Sequence, residues 1–136
     1  MRPLLLLLFA TLATLVAAFE PAEPAKHDPA LTPGARSRLL ALRSEAKFGP
    51  QLLRGYAGAD VEEDRDPLNG SVNTLIDAIL ALPDGPVSQA QVLPLVSSAV
   101  DEVESFATED RERAYRYFDQ IWRILGLTGD PVAMAP

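Results

Sequence analysis

Two clusters of acidic side chains are the residues of this sequence whose types and spacing suggest chemistry. The members of the first cluster are Asp60, Glu62, Glu63, Asp64 and Asp66. Hard cations such as Ca²⁺ take carboxylate oxygens from neighbouring loop positions, which makes calcium binding the hypothesis to test. Counted from Asp60, however, the sixth position is Arg65 instead of glycine and the twelfth is Ser71 instead of glutamate. The spacing therefore favours a solvated acidic loop and predicts no metal site.

The second cluster lies between residues 101 and 112, and its members are Asp101, Glu102, Glu104, Glu109, Asp110 and Glu112. Two carboxylates act as general acid and base when burial raises the pKa of one of them, and Asp101 and Glu104 would share a helix face. Acidic residues at 109–112 are, however, typical of the first turn of a helix, where they stabilise the helix dipole. We therefore predict no catalytic residue, and a small hydrolase that uses this cluster is an alternative.

The overall composition excludes several classes of function. The chain has no cysteine, and its one histidine, His27, lies in a proline-rich stretch that supplies no fixed partner for catalysis. The 12 basic and 19 acidic residues give a net charge of −7, which argues against nucleic-acid binding because that requires clustered cations. No glycine-rich phosphate loop follows a strand, so a nucleotide site is also disfavoured. We predict no cofactor.

Three arginines near the second cluster are candidates for holding an anion or a partner's carboxylate. Helical spacing pairs Arg113 with Glu109 and Arg116 with Glu112, each four residues apart, and leaves Arg111 free for a ligand or for folding. Asp119 and Arg123 make a third predicted pair of the same spacing.

Aromatic residues of the same segment divide into two groups. Tyr115, Phe118 and Trp122 recur at helical spacing and are predicted to lie in the core. Tyr117 points elsewhere on the helical wheel and, if exposed, is a candidate contact residue. The predicted interaction residues are Arg111, Tyr117, Asp101 and Glu104.

The pattern of apolar residues predicts an all-α fold, a small bundle of about four helices over residues 31–128. The predicted start signals are Thr32 before Pro33, Asp66 before Pro67, the capping box of Ser88 with Gln91, and Thr108. Pro94 should kink the third helix or delay its start. Gly126 should end the fourth, with Leu127 folding back on Trp122. No strand pattern is present, and residues 129–136 are predicted to fray.

The segments SFATEDRER at 105–113, Tyr117-Phe118-Asp119 and ILGL at 124–127 share a motif, TEDRER…YF…ILGL, with a known family. Lys47-Phe48 and the later Tyr56 and Gly58 match an upstream segment of it. Over residues 38–127 the chain thus resembles a family of small bacterial exported helical proteins, catalogued only as a domain of unknown function. The resemblance implies a compact helical domain and assigns no catalytic residue, cofactor or substrate.

The N-terminus has the pattern of an export signal. Residues 1–18 begin with Arg2, continue with an apolar stretch over 4–16, and end with the small residues of Val16-Ala17-Ala18. Cleavage after Ala18 would leave a mature chain that begins at Phe19 and a disordered proline-rich tether over 19–30. The predicted location is the periplasm or the medium. In the alternative, the segment is an uncleaved membrane anchor.

Together these observations predict an exported helical domain that acts by binding another protein. The acidic charge suggests a basic partner and a role as an inhibitor or immunity-type protein, because complementary charge speeds association. The alternatives are the hydrolase above and an N-terminally anchored structural protein of the cell envelope. Membrane contact is expected only if the N-terminal segment is not cleaved.

Overall fold

The computed structural model describes residues 28–136, and the segment before it, which contains the predicted signal peptide and His27, lies outside the described residues. The helices are α1 (Pro33–Ser44), α2 (Arg65–Leu80), α3 (Gln89–Val103), α4 (Thr108–Ile124) and α5 (Pro131–Met134). Two short strands, β1 (Ala30–Leu31) and β2 (Gly85–Pro86), pair in antiparallel register. The predicted all-α class is confirmed, since four long helices form the bulk of the domain.

The apolar stripes of the four long helices meet in one core. Trp122 and Phe118 of α4 are completely buried among aliphatic residues of α2 and α3 such as Ile76 and Val96. Trp122 also donates its indole N–H to the Thr128 carbonyl at 3.0 Å, so the polar atom of this core residue is satisfied. The predicted core position of Trp122 is confirmed, whereas Tyr115 is only partly buried at the edge of the core.

Two of the four predicted helix starts are confirmed. Thr32 Oγ1 accepts from the Ala35 amide at 3.0 Å, and Ser88 and Gln91 form the predicted capping box. α3 begins directly after Ser88, so Pro94 does not delay its start.

The other two starts were predicted wrongly. α4 already includes Thr108, and Ala107 is its cap residue. α2 begins at Arg65, because a 3₁₀ turn over Glu62–Asp64 runs directly into it and no extended cap residue separates the two.

The C-terminal end of α4 follows the predicted stop signal. Gly126 adopts a left-handed φ of 80°, its amide donates to Arg123, and the Leu127 amide donates to Trp122 at 3.2 Å. This pair of bonds is the Schellman motif, and Leu127 is buried as expected.

The predicted frayed tail is wrong for residues 131–134. They form α5, whose start is capped by Asp130 and which packs against α3 and α4. Asp130 followed by Pro131 is a start signal of the same type as Thr32 and Pro33, so the sequence contained the information.

The boundary of the predicted tether also changes. Pro29 and Ala30 belong to the folded part, since the Ala30 amide donates to the Leu125 carbonyl and the Val87 amide donates to the Pro29 carbonyl, both at 3.0 Å. The two strands formed here contain only two residues each, which is too short for an alternating pattern to reveal them. Over the described range, no helix combines the length and apolarity that crossing a bilayer requires.

Candidate functional site

The connector between α1 and α2, residues 45–64, lies against the bundle and contains the most unusual chemistry of the domain. It forms two buried charged sites. The Lys47 site consists of Lys47, Asn69 and Asn73, and the Asp110 site consists of Asp110, Tyr56, Arg113 and the Asp60 amide. Each site ties the connector to one long helix, α2 in the first case and α4 in the second.

Lys47 is a buried cation surrounded by neutral oxygens. Its side chain is 1% exposed, and its ammonium donates to Asn73 Oδ1 at 2.8 Å and to the Glu45 carbonyl at 2.9 Å. The Arg43 carbonyl at 3.2 Å and Asn69 Oδ1 at 3.4 Å complete the shell. An ammonium has three hydrogens, so this shell satisfies every donor. Burial lowers the pKa of Lys47 because it disfavours the charged form.

Tyr117 supports the Lys47 site from α4. Its hydroxyl donates to the Lys47 carbonyl at 2.8 Å and accepts from Gln51 Nε2 at 3.3 Å, while its ring meets the edge of Phe48. Tyr117 is buried, so its predicted role as an exposed contact residue is wrong. The helical wheel correctly separated it from the Trp122 stripe, but the connector covers this second face of α4.

Asp110 is a buried anion. One carboxylate oxygen accepts from the Tyr56 hydroxyl at 2.8 Å, and the other accepts from the Asp60 amide at 2.9 Å. Burial and then the bond to Asp110 raise the pKa of Tyr56, so this phenol stays protonated and donates. The sequence analysis explained Asp110 by the helix dipole alone. The structure adds two hydrogen bonds from the connector, one from the Tyr56 hydroxyl and one from the Asp60 amide.

Arg113 is held by aromatic rings instead of the predicted carboxylate. Its guanidinium carbon lies 5.1 Å from the centroid of the Tyr56 ring and 5.6 Å from that of Tyr117, both within the range of cation–π attraction. The side chain is 6% exposed, and its Nε is buried with no hydrogen-bond partner among residues 28–136.

Only one of the three predicted ion pairs within α4 is formed. Asp119 and Arg123 lie 2.9 Å apart, but neither Glu109–Arg113 nor Glu112–Arg116 appears among the salt bridges of the described part of the chain. Arg113 faces the core side of α4, whereas Glu109 and Glu112 are exposed.

A shallow depression of about 190 Å³ opens beside Arg113. We call it the arginine depression, and its lining residues are Arg54, Gly55, Tyr56, Glu109, Glu112, Arg113 and Arg116. It therefore brings together side chains of the connector and of the first half of α4.

A turn of exposed leucines adjoins this depression. Gln51 and Tyr56 exchange backbone hydrogen bonds at 2.7 and 3.2 Å, and the chain between them forms a 3₁₀ turn, Leu52–Arg54, that ends at a left-handed Gly55. Leu52 is 80% exposed and Leu53 is fully exposed. We call these two residues the leucine tip.

The remaining predicted interaction residues lie where α3 ends and α4 begins. Asp101 and Glu104 are exposed at the end of α3, and Arg111 donates to the Glu104 carbonyl at 3.1 Å. Arg111 thereby gives a carbonyl at the C-terminus of α3 a hydrogen-bond donor. This contact corresponds to the folding role, one of the two roles predicted for Arg111. Tyr117 is not brought together with this group.

Reasoning from the sequence did not select Lys47 and Tyr56, and it named Arg113 as one of three candidates for holding an anion before setting it aside. Lys47 and Tyr56 were marked only by the family resemblance, and Arg113 was assigned to an ion pair. In the part of the chain that has a described structure, no group of three His, Asp or Glu side chains is placed to hold a metal ion.

A comparison with known families identifies the family of this domain. The sequence pattern of DUF4844, a domain of unknown function, matches residues 30–130. The chain belongs to this family. The suspected resemblance is therefore confirmed, and the DUF4844 match covers both buried charged sites, the arginine depression and the leucine tip. No curated protein and no solved structure gives a significant match.

Proposed function

We propose that this DUF4844 domain is exported and acts by binding another protein, with the leucine tip and the arginine depression as its contact surface. The observation that carries the proposal is the exposure of Leu52 and Leu53 on a turn whose ends are bonded to each other. Hydrophobic side chains favour burial by about 1.5–3 kcal/mol each, so two adjacent exposed leucines favour a partner that covers them.

The rigidity of the turn supports the same proposal. Tyr56 anchors it from below, since its ring packs beneath Arg113 and its hydroxyl bonds to Asp110. A turn that is already ordered loses little conformational entropy when it binds, which leaves more of the contact energy for affinity. The turn and the depression are continuous through Arg54, Gly55 and Tyr56.

The charge of the whole chain suggests the general character of the partner. A net charge of −7 attracts a basic protein over long distances and speeds its association. This supports an inhibitor or immunity-type role in which the acidic surface steers the partner and the leucine tip fixes its position. Export through residues 1–18 would place the encounter in the periplasm or outside the cell.

The test compares three forms of the chain against one identified partner. The partner is isolated by cross-linking in the native cell envelope, purified, and its affinity is measured for the wild type, for Leu52→Ser/Leu53→Ser, and for Leu40→Ser. Leu40 is a half-exposed leucine on α1 and serves as the matched control. We expect the double variant to bind at least about 100-fold more weakly and the control to bind like the wild type.

Equal affinity of all three forms would place the contact elsewhere and overturn the proposal for this surface. Failure to isolate any partner that binds the purified wild type would overturn the binding function itself.

A further inference from the structure

Among residues 28–136, Arg113 is a buried cation without a hydrogen-bonded anion. Buried arginines are normally paired, because removal of a charge from water costs several kcal/mol unless other groups compensate. Here the two oxygens of Asp110 already bond to Tyr56 and Asp60, and Glu109 forms no ion pair with Arg113 among residues 28–136. The rings of Tyr56 and Tyr117 compensate only in part, and Nε has no acceptor within the described part of the chain.

We propose that the arginine depression is a carboxylate-binding site, and that it receives an acidic side chain of the partner protein beside the leucine tip. The identity of the ligand as a partner's side chain rests on the proposed function. The binding of a carboxylate by the depression does not, since it follows from the geometry around Arg113.

The arrangement of Arg113 suits a planar anion. Two aromatic contacts hold its guanidinium in place, and the side chain lines the depression. A guanidinium presents its N–H groups as a flat fork that matches the two oxygens of a carboxylate. Because the fork is already fixed, little side-chain entropy is lost when a carboxylate binds.

The rim selects among anions by charge. Arg54 and Arg116 add two exposed cations, whereas Glu109 and Glu112 add two exposed anions. The rim alone is therefore neutral, and behind it the positive charge of Arg113 is offset by the buried Asp110, whose two oxygens already accept from Tyr56 and Asp60. This balance fits a singly charged carboxylate better than a doubly charged phosphate, which the two glutamates would repel.

The size of the depression supports a side chain over a free metabolite. Its volume of about 190 Å³ is below the range of about 300–1,000 Å³ that is typical of small-molecule sites. A single acidic side chain needs much less room than a nucleotide or a sugar. The neighbouring leucine tip would then contact the surface from which that side chain projects.

The experiment is a titration of the purified chain, labelled with ¹⁵N, with sodium acetate at constant ionic strength. The signals followed are the Arg113 Nε–H and the Gly55 amide, with chloride, acetamide and inorganic phosphate as comparison solutes. We expect saturable shifts with acetate in the millimolar range, no response to acetamide, and weaker binding of phosphate. Shifts that stay linear, that chloride reproduces, or that phosphate produces more tightly would overturn the carboxylate assignment.

Variants identify the residue responsible. Arg113→Gln should abolish saturation, Arg113→Lys should weaken it by about 10-fold because the fork is lost, and Arg38→Gln on α1 should leave it unchanged. If Arg113→Gln does not fold, the rim variant Arg54→Gln/Arg116→Gln is used instead. Its affinity for acetate should fall by at least about 3-fold. Acetate binding of wild-type strength in folded Arg113→Gln, or in the rim variant if Arg113→Gln does not fold, would overturn the site.

Two blocked amino acids distinguish a side-chain carboxylate from a C-terminal one. N-acetyl-glutamate amide carries it on the side chain, and N-acetyl-glutamine carries it at the C-terminus. We expect the first to bind more tightly, and the reverse order would overturn the side-chain assignment. Since no partner protein is present, these titrations fail or succeed independently of the affinity measurements on the leucine tip.

Discussion

The Lys47 site and the Asp110 site both contain a buried charge that joins the connector to a long helix, but they differ in how completely that charge is satisfied. At the Lys47 site four oxygens surround one ammonium, and nothing is left to bond. At the Asp110 site each oxygen of the anion accepts one hydrogen bond, whereas the neighbouring cation, Arg113, contacts two rings and has a buried Nε without a partner among residues 28–136.

This difference separates a structural site from a candidate binding site. A closed shell of hydrogen bonds gains nothing from a ligand, and Lys47 does not line the arginine depression. An unsatisfied cation at the edge of a depression gains hydrogen bonds when an anion arrives. We therefore expect Lys47 to contribute to stability, and Arg113 to contribute more to binding than to stability.

The largest expected effect is that of Lys47→Met. Methionine fills a similar volume but leaves two backbone carbonyls and two asparagine oxygens without their donor, and a buried polar group without a partner costs about 1–3 kcal/mol. We expect a loss of about 3 kcal/mol in the free energy of unfolding, measured by urea denaturation. Arg38→Met, an exposed cation on α1, is the control and should change little. An unchanged midpoint for Lys47→Met would remove the distinction between the two sites.

A smaller effect is expected for Arg113→Gln. The variant loses two cation–π contacts, but it also removes a buried charge whose desolvation is only partly compensated. We expect a change within about 1 kcal/mol in the same denaturation experiment. A loss as large as that of Lys47→Met would show Arg113 to be a structural residue, which is the result that contradicts the comparison.

The smallest effect concerns how the stability of the domain depends on alkaline pH, near the ordinary pKa values of about 10 for a tyrosine and about 10.4 for a lysine. The folded-state pKa of Tyr56 is raised, so its contribution is complete below the unfolded pKa and is lost as the pH rises towards the folded one. The folded-state pKa of Lys47 is lowered, so stability increases with pH between its folded pKa and that of the unfolded chain.

Tyr56 and Lys47 therefore change the stability of the domain in opposite directions as the pH rises. Melting temperatures recorded between pH 8 and 11 measure both contributions. Tyr56→Phe should flatten the decrease seen at the alkaline end, and Lys47→Met should steepen it. Parallel curves for the wild type and both variants would contradict the assignment of these groups to separate sites.

Much of the fold was predictable because its signals are local. Thr32 before Pro33, Ser88 with Gln91, and Gly126 after Leu125 each act within one helical turn, and each was read correctly. The cap of α4 was wrong by one residue, since Ala107 occupies the place given to Thr108. The start of α2 was wrong because the preceding acidic turn is itself helical in its dihedral angles.

The candidate site was much less predictable. The helical wheel makes Tyr117 a candidate contact residue if it is exposed, and it makes Arg113 the partner of Glu109, because it considers only one covered face of α4. The connector covers a second face, which places Tyr117 against the Lys47 carbonyl and Arg113 between two tyrosine rings. Arg113 and Tyr117 are four residues apart within α4, but the contacts that bury them join residues 54 to 70 positions apart, and no spacing within one helix reveals those contacts.

The sequence by itself determined the all-α class, the four long helices and the core position of Trp122, because helical periodicity and end signals depend on neighbouring residues. Only the tertiary structure decided which charges are buried and which are satisfied. The burial of Lys47, Asp110 and Arg113 depends on where the irregular connector lies on the bundle. The connector has no periodic apolar pattern from which its position on the bundle could be predicted. The contacts of its side chains are therefore known only from the folded structure.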